Sequence, residues 1–106
     1  MTPLELTQAL DNLWDTKVAD LPPWVQDSWR GVDETSRGFG LQQESGSFPA
    51  TVKPRRIRFE LLPGRILVTT GDVLDRELAD VEDVDRAMQA FVDAFVNDCE
   101  KNLSDS

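Results

Sequence analysis

Cys99 is the only thiol in the chain, and no histidine is present to serve as its base. The missing imidazole removes every histidine general base, histidine-dependent nucleophilic triad and imidazole metal site from consideration. A single thiol can build neither an internal disulfide nor a zinc or iron–sulfur site within one chain. Cys99 also falls on an apolar helical stripe, where a cysteine behaves as a small, inert hydrophobe. Gly38-Phe39-Gly40 runs on into Leu41-Gln42-Gln43 without the third glycine of a dinucleotide-binding turn, and no phosphate-binding Gly-Lys-Ser/Thr occurs.

Carboxylates offer two further chemistries. Asp72, Asp75, Glu77, Asp80, Glu82, Asp83 and Asp85 crowd one stretch, as a divalent-cation site or an acid/base pair would require. The stretch lacks the spacing and central glycine of a calcium loop. Much of it coincides with the start of a helix, where the dipole favours negative charge. It is read as solvated helix-start charge. The expectation is a non-catalytic protein with no metal and no cofactor.

Two groups remain for binding. Lys53-Pro54-Arg55-Arg56-Ile57-Arg58 is the one basic stretch. On a strand, Arg56 and Arg58 share a face and are placed to grip phosphates or an acidic protein, whereas pairing with nearby acids, including those of the last helix, is the plainer reading. Trp14, Trp24 and Trp29 all fall in the first 29 residues. Trp14 belongs to a helix's apolar face. Trp24 and Trp29 sit just after a Pro-Pro break and either close the base of the core or serve as interface anchors.

The elements that position these groups follow from periodicity. Thr2, Pro3 and Glu5 form a helix start, and Leu6, Ala9, Leu10, Leu13 and Trp14 recur at helical spacing, predicting a helix over about residues 3–18. Trp24, Val25, Ser28 and Trp29 suggest a short helical turn over about 22–30, with an extended segment as the competitor. Residues 31–47 read as a Gly- and Ser-rich loop with one short strand at most. If Glu44-Ser45-Gly46-Ser47 closes a hairpin, Phe39 faces Val52 and Leu41 faces Ala50. Ile57, Phe59 and Leu61 alternate with Arg56, Arg58 and Glu60, and Ile66 and Val68 follow Pro63-Gly64. This predicts a hairpin pairing Leu61 with Ile66, Phe59 with Val68 and Ile57 with Thr70. Its loop is expected to exceed two residues, because a type II turn fits hairpin twist poorly. The apolar parity changes near Lys53-Pro54-Arg55, predicting a bulge or break there.

Residues 71–80 read as a charged connection to a last helix over about 81–102, capped by Asp80. Val84, Met88, Phe91, Phe95 and Cys99 form its central stripe. Val81, Ala87, Val92, Ala94, Val96 and Leu103 widen that stripe to roughly 200°, against the ~100° usual for a surface helix. One sheet face seldom covers so much, so either the first helix packs beside this one or part of the stripe meets a partner, with Val92, Val96 and Leu103 as the contact residues beside Trp24, Trp29, Arg55, Arg56 and Arg58.

Composition bounds the rest. A chain of 106 residues with 40% hydrophobic content fits a single domain over 1–106. Mean hydropathy of -0.38 and the absence of a long apolar run or basic leader predict a cytoplasmic protein without a membrane span. The net charge of -9 divides unevenly: -5 over residues 1–50, +4 over 51–70 and -8 over 71–106. The sum disfavours nucleic acid and anionic membrane and favours basic partners. The expected fold is α+β, a three-stranded antiparallel sheet with an N-terminal helix and a long C-terminal helix on one face. The expected function is an acidic protein–protein interaction domain: an adaptor, a chaperone-like factor or a subunit of a bacterial or phage assembly, its partner another protein or a second copy of itself. Two alternatives stay open. One is an acidic inhibitor that imitates nucleic acid in a basic protein groove, and the other is nucleic-acid or phosphate contact through residues 53–58.

Overall fold

A computed structural model describes residues 3–44, 52–70 and 73–104. Helix α1 (Pro3–Ala19) is followed by strands β1 (Val25–Val32), β2 (Ser36–Gln43), β3 (Arg55–Leu62), β4 (Arg65–Thr70) and β5 (Val73–Leu78), then by helix α2 (Val81–Ser104). The strands form one antiparallel meander in chain order. The fold is α+β, with five strands where three were expected.

Both helices lie on the same face of the sheet, α1 against β2 and α2 against β2 and β3. The core between the layers is aromatic. Trp14 of α1 stacks on Phe39 of β2 at 4.8 Å and approaches Phe91 of α2 at 6.1 Å, while Phe39 meets Phe59 of β3 edge-on at 6.4 Å. Leu10, Leu41, Ile57, Val84, Met88, Phe95 and Cys99 complete it, all nearly or wholly out of water. Offset and edge-on rings of this kind add about 0.5–1.5 kcal/mol per pair beyond their area. Ion pairs tie α1 to the sheet and to α2: Arg30 to Asp15 at 2.7 Å, Arg37 to Asp11 at 3.6 Å, and Lys17 to Asp85.

The β3–β4 hairpin has the predicted register, with Leu61, Phe59 and Ile57 opposite Ile66, Val68 and Thr70. Its loop is shorter than expected. Leu62 pairs with Arg65, so Pro63-Gly64 alone makes the turn, and Gly64 takes a φ of 74°. Proline fixes the first turn position and glycine supplies the left-handed second, which is the type II arrangement. The break at Pro54 is present: β3 begins at Arg55, and Val52 instead donates its N–H to Gln43 Oε1 at 2.9 Å.

Three expectations are corrected. Residues 25–32 are a strand, so no short helix fills 22–30. Their helix-like spacing comes from a register slip between Asp27 and Trp29, which changes which residues face the core. Residues 36–43 are a full central strand in which Phe39 pairs with Ile57 and Leu41 with Arg55, so Phe39 does not face Val52. Ala50 and residues 45–51 generally, like Thr2, lie outside the described residues. Residues 73–78 form an edge strand with its own slip between Val68 and Thr69 of the partner β4.

α2 starts as predicted. Asp80 Oδ1 accepts the N–H of Asp83 at 3.0 Å, and Asp83 Oδ2 accepts the N–H of Ala79 at 2.9 Å, two donors satisfied reciprocally. No helix among the described residues is long and apolar enough to cross a membrane.

Candidate functional site

The sheet has two unlike faces. One carries Phe39, Leu41, Ile57, Phe59, Ile66 and Val68 into the core. On the other, no described element covers Arg56, Arg58 and Glu60, which are exposed, and Leu67 and Thr69 are half-exposed beside them.

Trp29 reaches this open face because of the slip in β1. Asp27 and Arg30 pair with Leu41 and Phe39 on the core side, so Trp29 and Gly31 turn outward, opposite Gly40 and Gly38. There the indole lies in a trough. A Cβ at Gly38 would sit 2.4 Å from Cζ3 and 2.5 Å from Cη2 of the ring, and one at Gly31 would sit 2.5 Å from Cη2. Any side chain at either position would claim the ring's place. Glycine weakens a central strand unless something needs to approach its backbone closely, and Trp29 is that something. Arg56 closes the trough from above, its guanidinium carbon 4.3 Å from the ring centroid. The indole is therefore sandwiched, glycine backbone below and a cation above, and its charge–quadrupole attraction holds Arg56 against the sheet.

The basic stretch divides accordingly. Arg55 pairs with Asp98 of α2 at 2.5 Å, the plainer fate anticipated for this stretch. Arg56 is committed to Trp29. Arg58 has no ion-pair partner among the described residues and stands exposed two positions further along the same face. Glu60 follows at the next outward position, and Glu77 pairs with Arg65 at 3.9 Å nearby.

The other candidates fall elsewhere. Trp24 is half-buried against the core, and its carbonyl accepts the N–H of Glu44 at 2.9 Å. Val92 is buried at 7% exposure and Val96 is half-buried, both beside Thr16, Lys17, Leu21 and Pro22. The end of α1 thus packs beside the flank of α2 for which a neighbouring helix or a partner was expected. The side chain of Leu103 lies outside the described residues. On its other flank α2 presents Ala87, Phe91 and Ala94 to Ile57, Val68 and Thr70 across an open groove of about 800 Å³.

The chemistry-bearing residues are dispersed. Cys99 is fully buried, and burial, then the neighbouring Asp98 carboxylate, push its thiol pKa up, away from the reactive thiolate. Asp80 caps α2, Asp85 pairs with Lys17, and Asp83 bonds Ala79 and Arg86. Among the described residues no three His, Cys, Asp or Glu side chains gather as a metal site would need. The trough was missed in the sequence, where Gly38 and Gly40 signalled loop. Their alternation with Phe39 and Leu41, on which one short strand was admitted, is strand period with glycine on one face, but it carries no sign of the tryptophan that fills the trough.

Comparison with protein-family models, curated proteins and solved structures finds no match for the chain.

Proposed function

We propose that the chain is a non-catalytic interaction domain that binds another protein through the open face of its sheet, at Trp29, Arg56 and Arg58. One observation carries this reading. An arginine rests over the ring of a half-buried tryptophan, with a second exposed arginine beside it, on a surface no described element covers. An arginine biased toward one position by a ring beneath it loses somewhat less conformational entropy on binding than a free one, and Trp and Arg are among the residues enriched at interface hot spots.

The second reading, an acidic inhibitor imitating nucleic acid, draws support from the opposite side. Glu5, Asp15, Glu82, Asp93 and Glu100 are exposed on the two helices, and Asp20 is exposed just past the end of α1. Charge reversal separates the two. Tagged protein carrying Arg56→Glu with Arg58→Glu, and a second version carrying Glu82→Lys with Asp93→Lys, are each compared with the parent in affinity capture from the native host. Loss of captured proteins in the first version alone supports the sheet face. Loss in the second alone transfers the function to the helices.

A further inference from the structure

We infer that the open sheet face recognises an acidic protein segment whose paired carboxylates lie about 7 Å apart, as alternate residues of an extended chain do. The inference rests on the interaction surface just proposed and specifies the chemistry of what it takes. Arg56 and Arg58 are outward-facing residues two apart on β3, so their stems leave the strand at about that same spacing. Guanidinium groups meet carboxylates through paired N–H donors, the strongest of the common charge-assisted hydrogen bonds. Arg56 sits over the Trp29 ring and makes no ion pair among the described residues, which leaves its N–H donors for a ligand.

The third outward position of β3 is Glu60, which reverses the sign. A matching segment therefore carries two acids followed by a basic or hydrogen-bond-donating residue. This reversal argues against a nucleic-acid strand, whose next phosphate would meet a carboxylate. The tryptophan argues the same way. Single strands bind by stacking bases on exposed rings, and the Trp29 ring has glycine backbone on one side and Arg56 on the other. The net charge of -9 does not forbid an acidic ligand, because many of the acids lie on the helix layer. Exposed charges beyond about 8 Å are largely screened at physiological salt.

Fluorescence anisotropy on the full chain tests the inference with labelled peptides. The first has the pattern Glu-Val-Glu-Thr-Lys. The second has the same residues and flanks with the two glutamates moved to opposite ends. Labelled oligothymidylate of similar length is the third probe. The expected result is that the first peptide binds at least about fivefold tighter than the second, and that Arg56→Ala with Arg58→Ala weakens it by about tenfold or more, roughly the loss of one good charged contact. Circular dichroism confirms that the variant is folded. Equal binding of the two peptides, or tighter binding of oligothymidylate, overturns the inference. If neither peptide binds while Arg56→Glu with Arg58→Glu still abolishes capture of host proteins, the acidic-segment inference fails and the interaction surface stands. If that variant leaves capture intact as well, the surface itself is refuted.

Discussion

Adding one methyl group at Gly38 should destabilise the parent protein and stabilise a version that lacks Trp29. The new Cβ would lie 2.4 Å and 2.5 Å from two carbons of the indole, against the ~3.5–4.0 Å of ordinary carbon contact. The ring must lift by about 1 Å or swing away, and a radial gap of that size forfeits up to about half of its dispersion contact with the sheet. Trp29 is half-buried. If it covers about 100 Å² of apolar surface, its seating contributes about 2.5 kcal/mol, of which a tilt would forfeit about 1–2 kcal/mol. The Arg56 contact adds about 0.5 kcal/mol at an exposed site. Against this, alanine in place of glycine stabilises a strand by about 0.5–1 kcal/mol. The φ of Gly38 is not positive, so the backbone accepts alanine without strain. Gly38→Ala alone should therefore cost about 1 kcal/mol. In a Trp29→Ala background its nearest neighbour outside the ring is the Ile57 carbonyl oxygen at 3.7 Å, an ordinary contact. There the same change should gain about 0.5 kcal/mol. Urea denaturation of the four proteins, followed by far-ultraviolet circular dichroism, gives the coupling directly, with about 1.5 kcal/mol expected. A coupling within about 0.3 kcal/mol of zero, the usual additivity error, would show that the ring does not occupy the trough.

Four further outcomes are expected. Gly64→Ala should lower stability by about 1 kcal/mol in the same denaturation assay, because the only fault is a left-handed φ of 74° and a Cβ there meets nothing within 4 Å. Asp80→Ala should cost about 1 kcal/mol through loss of the α2 cap, with Asp80→Asn much milder. The Asp83 carboxylate is held below the usual carboxylate range by the Ala79 N–H, and then by Arg86. Its contribution is complete above about pH 4, the ordinary unfolded value, and is lost as pH falls through the depressed folded value. Asp83→Asn should therefore flatten the acid limb of the melting-temperature profile. Cys99, buried with its thiol pKa raised, should react with a thiol reagent at neutral pH only as fast as the protein opens, so reactivity should rise in parallel with added urea.

What could be read from the sequence depended on whether one period dominated a segment. The β3–β4 hairpin alternates cleanly on both sides of Pro63-Gly64, and its register follows directly. α2 carries both a capping residue and a sustained helical stripe, so its start and its buried face were legible. β1 was not, because the slip at Ser28 places residues of unlike character on the same face and imitates a helical repeat. β2 was read as loop because glycine is a poor strand former in isolation, and the tryptophan that uses those glycines lies on a neighbouring strand. The basic half of the candidate site was visible as Arg56 and Arg58 on one strand face. Its aromatic half was not, since Trp29 joins it only through tertiary pairing. The width of the α2 stripe left two readings open, a neighbouring helix or a partner, and periodicity within α2 cannot choose between them: Val92 is buried and Val96 half-buried beside the end of α1.

If the open face binds as proposed, stability and recognition meet at one residue pair. The indole of Trp29 is shielded from water by glycine backbone beneath and by Arg56 above. A ligand that draws Arg56 away from the ring must expose apolar surface, and a ligand that pairs with its N–H donors in place need not. On the proposed reading, the site would favour partners that meet the guanidinium edge and disfavour those that displace it, which is selection by geometry more than by charge alone. Arg58, with no ring beneath it, adds attraction without that constraint. The two arginines should consequently differ under conservative replacement. Arg58→Lys retains the charge but loses the paired donor edge, so it should weaken the ligand while leaving the fold's stability unchanged. Arg56→Lys should weaken both ligand and fold, since an ammonium group cannot lie flat on the ring while offering a paired donor edge. Equal, small effects of the two replacements in the peptide-binding and urea assays would show that Trp29 gives Arg56 no special role.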